Sequence, residues 1–270
     1  MKHNILVQEF HEDMVNMRPD FSGSSEWWNK WRQQLRDCAL HEDPNRFVTW
    51  GPIMITMYCH NTEYAVHEVS FLKTLPDWEQ RWRPALKERG EFEMGACLAH
   101  PESNATTVHH AFHVAMFEKE TGVKISDMDF IFEFGGGFGD MCRLIHRLGF
   151  SGRYVIHDLP EFLALQRFFL KASGVAVESG RVELVPDFSS VAALVPKSGK
   201  RCVASTWAIE ESTPKVMSDF VDMMPLFDHF LFAGGDGCFS RIQREQIEVD
   251  WKRWEIPFLK GNMYMMGKRR

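Results

Sequence analysis

The pattern of apolar positions along the 270-residue chain changes character near residue 125. Up to that point apolar residues recur at helical spacing, which predicts helices over 24–40, 53–75 and 104–121. The third is the best marked. Ser103 or Asn104 can cap its start, Val108, Ala111, Phe112, Ala115 and Met116 follow at helical spacing, and Gly122 closes it.

After residue 125 short apolar runs alternate with amphipathic stretches. Strands are expected at 129–134, Tyr154–His157, Val182–Val185, Cys202–Thr206 and His229–Ala233, with helices over Asp140–Leu148, Pro160–Ala172, 212–224 and 239–253. This alternation predicts an α/β fold with a doubly wound parallel sheet. Glu255–Phe258 and Met263–Met266, joined by a Lys260-Gly261-Asn262 turn, read as a terminal hairpin. The expected division is a helical N-terminal region, 1–125, followed by a sheet domain, 126–270.

Composition adds exclusions. A hydrophobic content of 44% with 25% charged residues is that of a globular chain, not a disordered one. The net charge of −6 argues against nucleic acid as the main partner. No run approaches the ~18 apolar residues of a membrane span, so no membrane partner is expected. The six cysteines form no C-x-x-C pair and no secretory leader is evident, which together predict a reduced, cytoplasmic protein without a metal. A homodimer is one arrangement left open.

Candidate chemistry begins with Glu133-Phe134-Gly135-Gly136-Gly137-Phe138-Gly139-Asp140, directly after the first strand of the sheet domain. Glycines at 135, 137 and 139 let the backbone turn sharply and approach a ligand. The loop lacks the Lys of a phosphate-binding P-loop. An acid two residues before the first Gly would repel a pyrophosphate but suits the cationic amino-acid end of S-adenosylmethionine (SAM). Asp158, with Leu159 after it, ends the second strand, where a carboxylate can accept hydrogen bonds from both ribose hydroxyls. Asp187 and Phe188 follow the third strand and offer an acid and an aromatic face for adenine.

Three segments carry a family resemblance: Glu133–Gly139, Tyr154-Val155-Ile156-His157-Asp158-Leu159-Pro160, and Thr206-Trp207-Ala208-Ile209-Glu210-Glu211. Over residues 125–270 the chain resembles the class I SAM-dependent methyltransferases, and within them the sugar O-methyltransferase group. The resemblance implies a Rossmann-like sheet of seven strands with the last antiparallel, and SAM above its first two strands. Where that group has Ser-Leu-Ser-Glu after the fourth strand, this chain has Ala208-Ile209-Glu210-Glu211. Where an Asp-Asn pair is expected after the fifth, it has Gly234-Gly235-Asp236-Gly237. Cofactor binding carries over; sugar specificity is left open.

Methyl transfer requires alignment of acceptor, methyl and sulfur, and a hydroxyl acceptor gains from a base. The candidates are Glu210 and Glu211, which follow the fourth strand, and His110 on the 104–121 helix. His109 and His113 share a face of that helix at metal-pair spacing, but no third ligand lies near them in the sequence. Trp207 is expected beside the cofactor. Six of the nine Trp lie in the first 82 residues. Trp27, Trp28 and Trp31, with Tyr58 and Tyr64, are expected to form a lid whose aromatic faces meet the sulfonium, or else to pack as core.

Three functions remain open on this reading: methyl transfer to a small polar molecule, at oxygen; consumption of SAM itself with release of methylthioadenosine; and a non-catalytic interaction module on the same fold.

Overall fold

Capping signals in the N-terminal half set its helices, in a computed structural model that describes residues 2–18, 24–59, 63–90, 92–177 and 180–270. An amphipathic helix that the spacing did not predict, α1 (Lys2–Asn16), comes first. Ser25 accepts the Trp28 N–H and opens α2 (Glu26–His41). The single helix expected over 53–75 is two, α3 (Gly51–Thr56) and α4 (Glu63–Leu72). The N–H groups of both Met57 and Tyr58 turn back onto the Ile53 carbonyl, ending α3, and the Cys59 N–H leaves the helix for Thr106 Oγ1.

After α5 (Arg83–Leu86), the short strands β1 (Ala96–Cys97) and β2 (His100–Asn104) make a hairpin outside the main sheet. Asn104 then caps α6 (Ala105–Thr121) through the Thr107 N–H, and Gly122, at φ +70°, ends it.

The sheet follows in order: β3 (Phe130–Phe134), α7 (Asp140–Arg147), β4 (Arg153–His157), α8 (Pro160–Ala172), β5 (Val182–Val185), α9 (Val191–Leu194), β6 (Arg201–Thr206), α10 (Pro214–Met223), β7 (His229–Gly235) and α11 (Asp236–Glu245). The last two strands, β8 (Val249–Glu255) and β9 (Asn262–Arg269), form a hairpin. The spatial order is β5-β4-β3-β6-β7-β9-β8, parallel except that β9 runs against its neighbours. This is the Rossmann-like arrangement with an antiparallel last strand.

Only the first half of the helix expected over 239–253 is helical. Val249, Trp251 and Arg253 alternate in exposure with Asp250 and Lys252, a period of two that fits an edge strand. Trp251 and Trp254 mimic helical spacing, which is what misdirects the reading. The hairpin therefore pairs 249–255, not 255–258, with 262–269.

Alternation along β3 divides the core in two. Phe130, Phe132 and Phe134 face a cluster with Phe220, Phe227 and Phe232, while Ile131 faces the opposite cluster built on α6, α7 and α8. The second cluster is continuous with Phe10, Trp50 and Leu86 of the N-terminal half, so one core crosses residue 125. Arg32 on α2 and Glu161 on α8, both 1% exposed, are joined at 2.6 Å across it. Among the described residues, no helix is long and apolar enough to cross a membrane.

Candidate active site

Parallel strands leave their carboxyl ends at one edge of the sheet, and in an open α/β sheet ligands bind there. The ends of β3, β4 and β6 open into a cavity of about 450 Å³, closed from the other side by Trp28, the 57–59 segment, Tyr64 and α6.

The glycine loop makes its floor. Gly135, at φ +76°, donates its N–H to the His157 carbonyl, and a Cβ there would lie 2.1 Å from Ala208 Cβ. A Cβ on Gly136 would meet Ile156 Cγ2 at 2.7 Å. Gly137, at φ +58°, lines the cavity as well. Gly139 does not: at φ +97° it precedes α7 and lets Leu170 of α8 pack close, so its role is structural.

Two carboxyls stand at the strand ends. Glu133 is buried, and its Oε2 accepts the Tyr154 hydroxyl at 2.8 Å. Burial raises it to about 8, with Asp158 and Asp140 adding repulsion and the Tyr154 bond opposing. Asp158 accepts the Leu159 N–H at 2.8 Å and the Gln166 amide at 2.7 Å. Burial raises it to about 7 even so. Gln166 also donates to the Gly137 carbonyl, tying the Asp158 carboxyl to the loop. Both acids line the cavity, as Leu159 does.

The third expected pair lies elsewhere. Asp187 is exposed and caps its own turn through the Ser189 N–H and hydroxyl. Phe188 packs against Phe134, His157 and Phe220, and neither residue lines the cavity. His157 does line it, with Nδ1–H donated to the Val185 carbonyl.

Glu210 and Glu211 part company in the turn Ile209–Glu211. Glu210 turns back to accept the Gly235 N–H and leaves the cavity wall. Glu211 lines the rim, hydrogen-bonded by Trp28; desolvation and the neighbouring Glu210 raise it to about 7.

His110 also faces the cavity, and its Nδ1 lies 2.9 Å from Asp140 Oδ2. Burial alone would raise Asp140, but Arg143 and His110 hold it well below the ordinary carboxylate range. A carboxylate only accepts, so Nδ1 carries a proton; in the neutral imidazole Nε2 is then the acceptor. Arg143, itself paired with Glu88, and Thr107 hold the other Asp140 oxygen. The loop acid next to Gly139 is thus the partner of His110, a pairing that spacing alone did not assign.

Trp207 has φ +60°, a left-handed backbone uncommon outside Gly. Its N–H donates to the Ala233 carbonyl, its indole N–H to Asn262 Oδ1, and its ring stacks on His109 at 5.6 Å. His109 is held by Glu68 at 2.5 Å and bonds His113 through Nε2 at 3.1 Å. Among the described residues, no three metal-ligating side chains converge.

Of the aromatic lid candidates, Trp28, Tyr58 and Tyr64 line the cavity. Trp31 is buried, and Trp27 is 47% exposed against the Trp28 and Trp31 rings. Trp50, Trp78 and Trp82 are core, so the Trp-rich start serves packing more than the site. The wall residues Met57 and Cys59 carry no motif, and only the break after α3 delivers them.

No protein-family model matches the chain, and no curated protein does. Solved structures are similar at low identity. An O-methyltransferase family protein from Burkholderia thailandensis is 13% identical, over 76% of this chain and 72% of that one, with a TM-score of 0.43. A ribosomal protein L11 methylase from Lactobacillus delbrueckii subsp. bulgaricus is 12% identical over 60% and 79%, with a TM-score of 0.44. A SAM dependent methyltransferase from Aquifex aeolicus is 13% identical over 58% and 89%, also at 0.44. At these values the likenesses bear no weight on activity.

Proposed function

We propose that the protein is a SAM-dependent methyltransferase acting on a hydroxyl of a small polar molecule. The observation that carries this reading is the pair of acids, Glu133 and Asp158, raised by burial at adjacent strand ends around a glycine loop. Two such carboxyls favour a ligand that brings a cation and hydroxyl donors, and SAM has an ammonium group, a sulfonium and a ribose diol.

When bound, SAM supplies an electrophilic methyl group. Glu133 would hold its ammonium and Asp158 its ribose hydroxyls, with the glycine loop between the two acids. Trp207 and Tyr64 wall the remaining space, and the rings exclude water from it. His110 is the base. With Nδ1–H fixed on Asp140, its Nε2 would accept the proton of the acceptor hydroxyl.

Mass spectrometry of products tests this. With SAM alone the protein should release no methylthioadenosine, and S-adenosylhomocysteine (SAH) should accumulate only when an acceptor is present. Methylthioadenosine formed without an acceptor would replace methyl transfer by SAM consumption. Absence of SAM binding by calorimetry would leave only the interaction module.

A further inference from the structure

The charge of the cavity wall limits what the second substrate can be, on the footing that the cavity is a methyl-transfer site. Among the described residues that line it, the carboxylic acids are Glu133, Asp158 and Glu211, and none is Lys or Arg. Arg32 and Arg143 of the surrounding helices are buried in ion pairs, with Glu161 and with Asp140 and Glu88. Glu133 and Asp158 are engaged by the cofactor. Glu211 is the remaining acid, at the rim, beside Trp28.

Trp28 lies beside Glu211, and Trp207, Tyr58 and Tyr64 line the same cavity. Trp207 is a fixed plate, anchored at its backbone and its indole nitrogen and stacked on His109. Ring faces attract cations through their quadrupole, and they receive flat apolar ligands. An acceptor with a carboxylate or phosphate would enter against Glu211, with no Lys or Arg among the described lining residues to compensate.

We propose that the acceptor is a small hydroxylated aromatic amine, its ring held among these aromatic side chains and its ammonium by Glu211. Glu211 is then a specificity residue and not the base. The acceptor hydroxyl oxygen forms its bond to the methyl carbon as the carbon–sulfur bond breaks, leaving a neutral thioether, and the hydroxyl proton passes to His110. The ammonium stays protonated throughout.

Calorimetric titration of the full chain saturated with SAH tests this, using tyramine, 4-ethylphenol, 4-hydroxyphenylacetate and glucose as probes. Tyramine should bind at least about tenfold more tightly than 4-ethylphenol, the lower end for a charge-assisted hydrogen bond, and the carboxylate should bind worst. In Glu211→Gln the lead of tyramine over 4-ethylphenol should vanish, with SAH binding serving as the control for folding. Equal or tighter binding of the carboxylate or the sugar, a lead that survives in the variant, or no binding of any probe overturns the proposal. If SAH binds and the preference is missing, this inference alone fails. If SAH does not bind, the cofactor reading falls with it.

Discussion

A carboxyl that must be ionised to meet a cation makes ligand affinity depend on pH. Glu133, raised to about 8 by burial, is mostly protonated at neutral pH in the ligand-free protein. A ligand ammonium binds the ionised form, so affinity should climb about tenfold per pH unit well below 8. Between pH 6 and 7.5 Glu133 alone accounts for roughly a 25-fold gain. Asp158, raised to about 7, adds to that. The window stops at 7.5 because a free α-amino group ordinarily titrates at about 8. Calorimetric titration with SAH in buffers of different ionisation enthalpy reads both the Kd and the protons released. Glu133→Gln should lower affinity and remove its share of the slope, leaving the smaller share of Asp158. A flat profile in the natural protein, or an unchanged slope in the variant, refutes the assignment. Ligand-free stability follows from the same shift. The folded state holds this proton more tightly than the unfolded one, so stability is full below the ordinary value of 4.5 and falls as pH rises through about 8. Melting curves of Glu133→Gln should lack that decline.

Asp158→Ala should weaken SAH binding by about 1.5–3 kcal/mol, the range for hydrogen bonds to a charged group, as read by calorimetry. His110→Gln should lower kcat by roughly 10²–10⁴-fold while leaving SAH affinity near its starting value, in a product assay at saturating acceptor. Gly135→Ala should destabilise the fold by about 1–3 kcal/mol in denaturant titration, because the new Cβ meets Ala208 and φ is positive. Arg32→Ala should cost about 3–5 kcal/mol in the same measurement, since it strands Glu161 as an unpaired buried charge.

What the sequence made legible is local. The order of β3, the glycine loop, α7 and β4 follows from spacing, and Pro160 opens α8 where the pattern placed it. Asp158 is found because a strand end and a helix start bracket it. Glu210 and Glu211 could not be told apart, since one peptide unit in a tight turn sends one to Gly235 and the other to the rim. Gln166 lies two turns into α8 and reaches the loop only through tertiary packing. Nothing local marks Trp207 for a left-handed backbone; the bonds to Ala233 and Asn262 impose it from neighbouring strands. Phe188 shows the converse: an aromatic at the expected place in the sequence packs into the Phe134 and Phe220 cluster and not into the cavity.

The break between α3 and α4 separates two kinds of heritable change. Met57, Tyr58 and Cys59 reach the cavity from a segment that takes no part in the sheet ladder, whereas the residues around the loop are locked by strand register. Replacing the three side chains alters the receiving wall and leaves the floor's hydrogen bonds to Gln166 and His157 as they are. A lineage could drift from one acceptor to another through this short stretch alone, with the donor end held constant, and a library randomised at these three positions samples the same route.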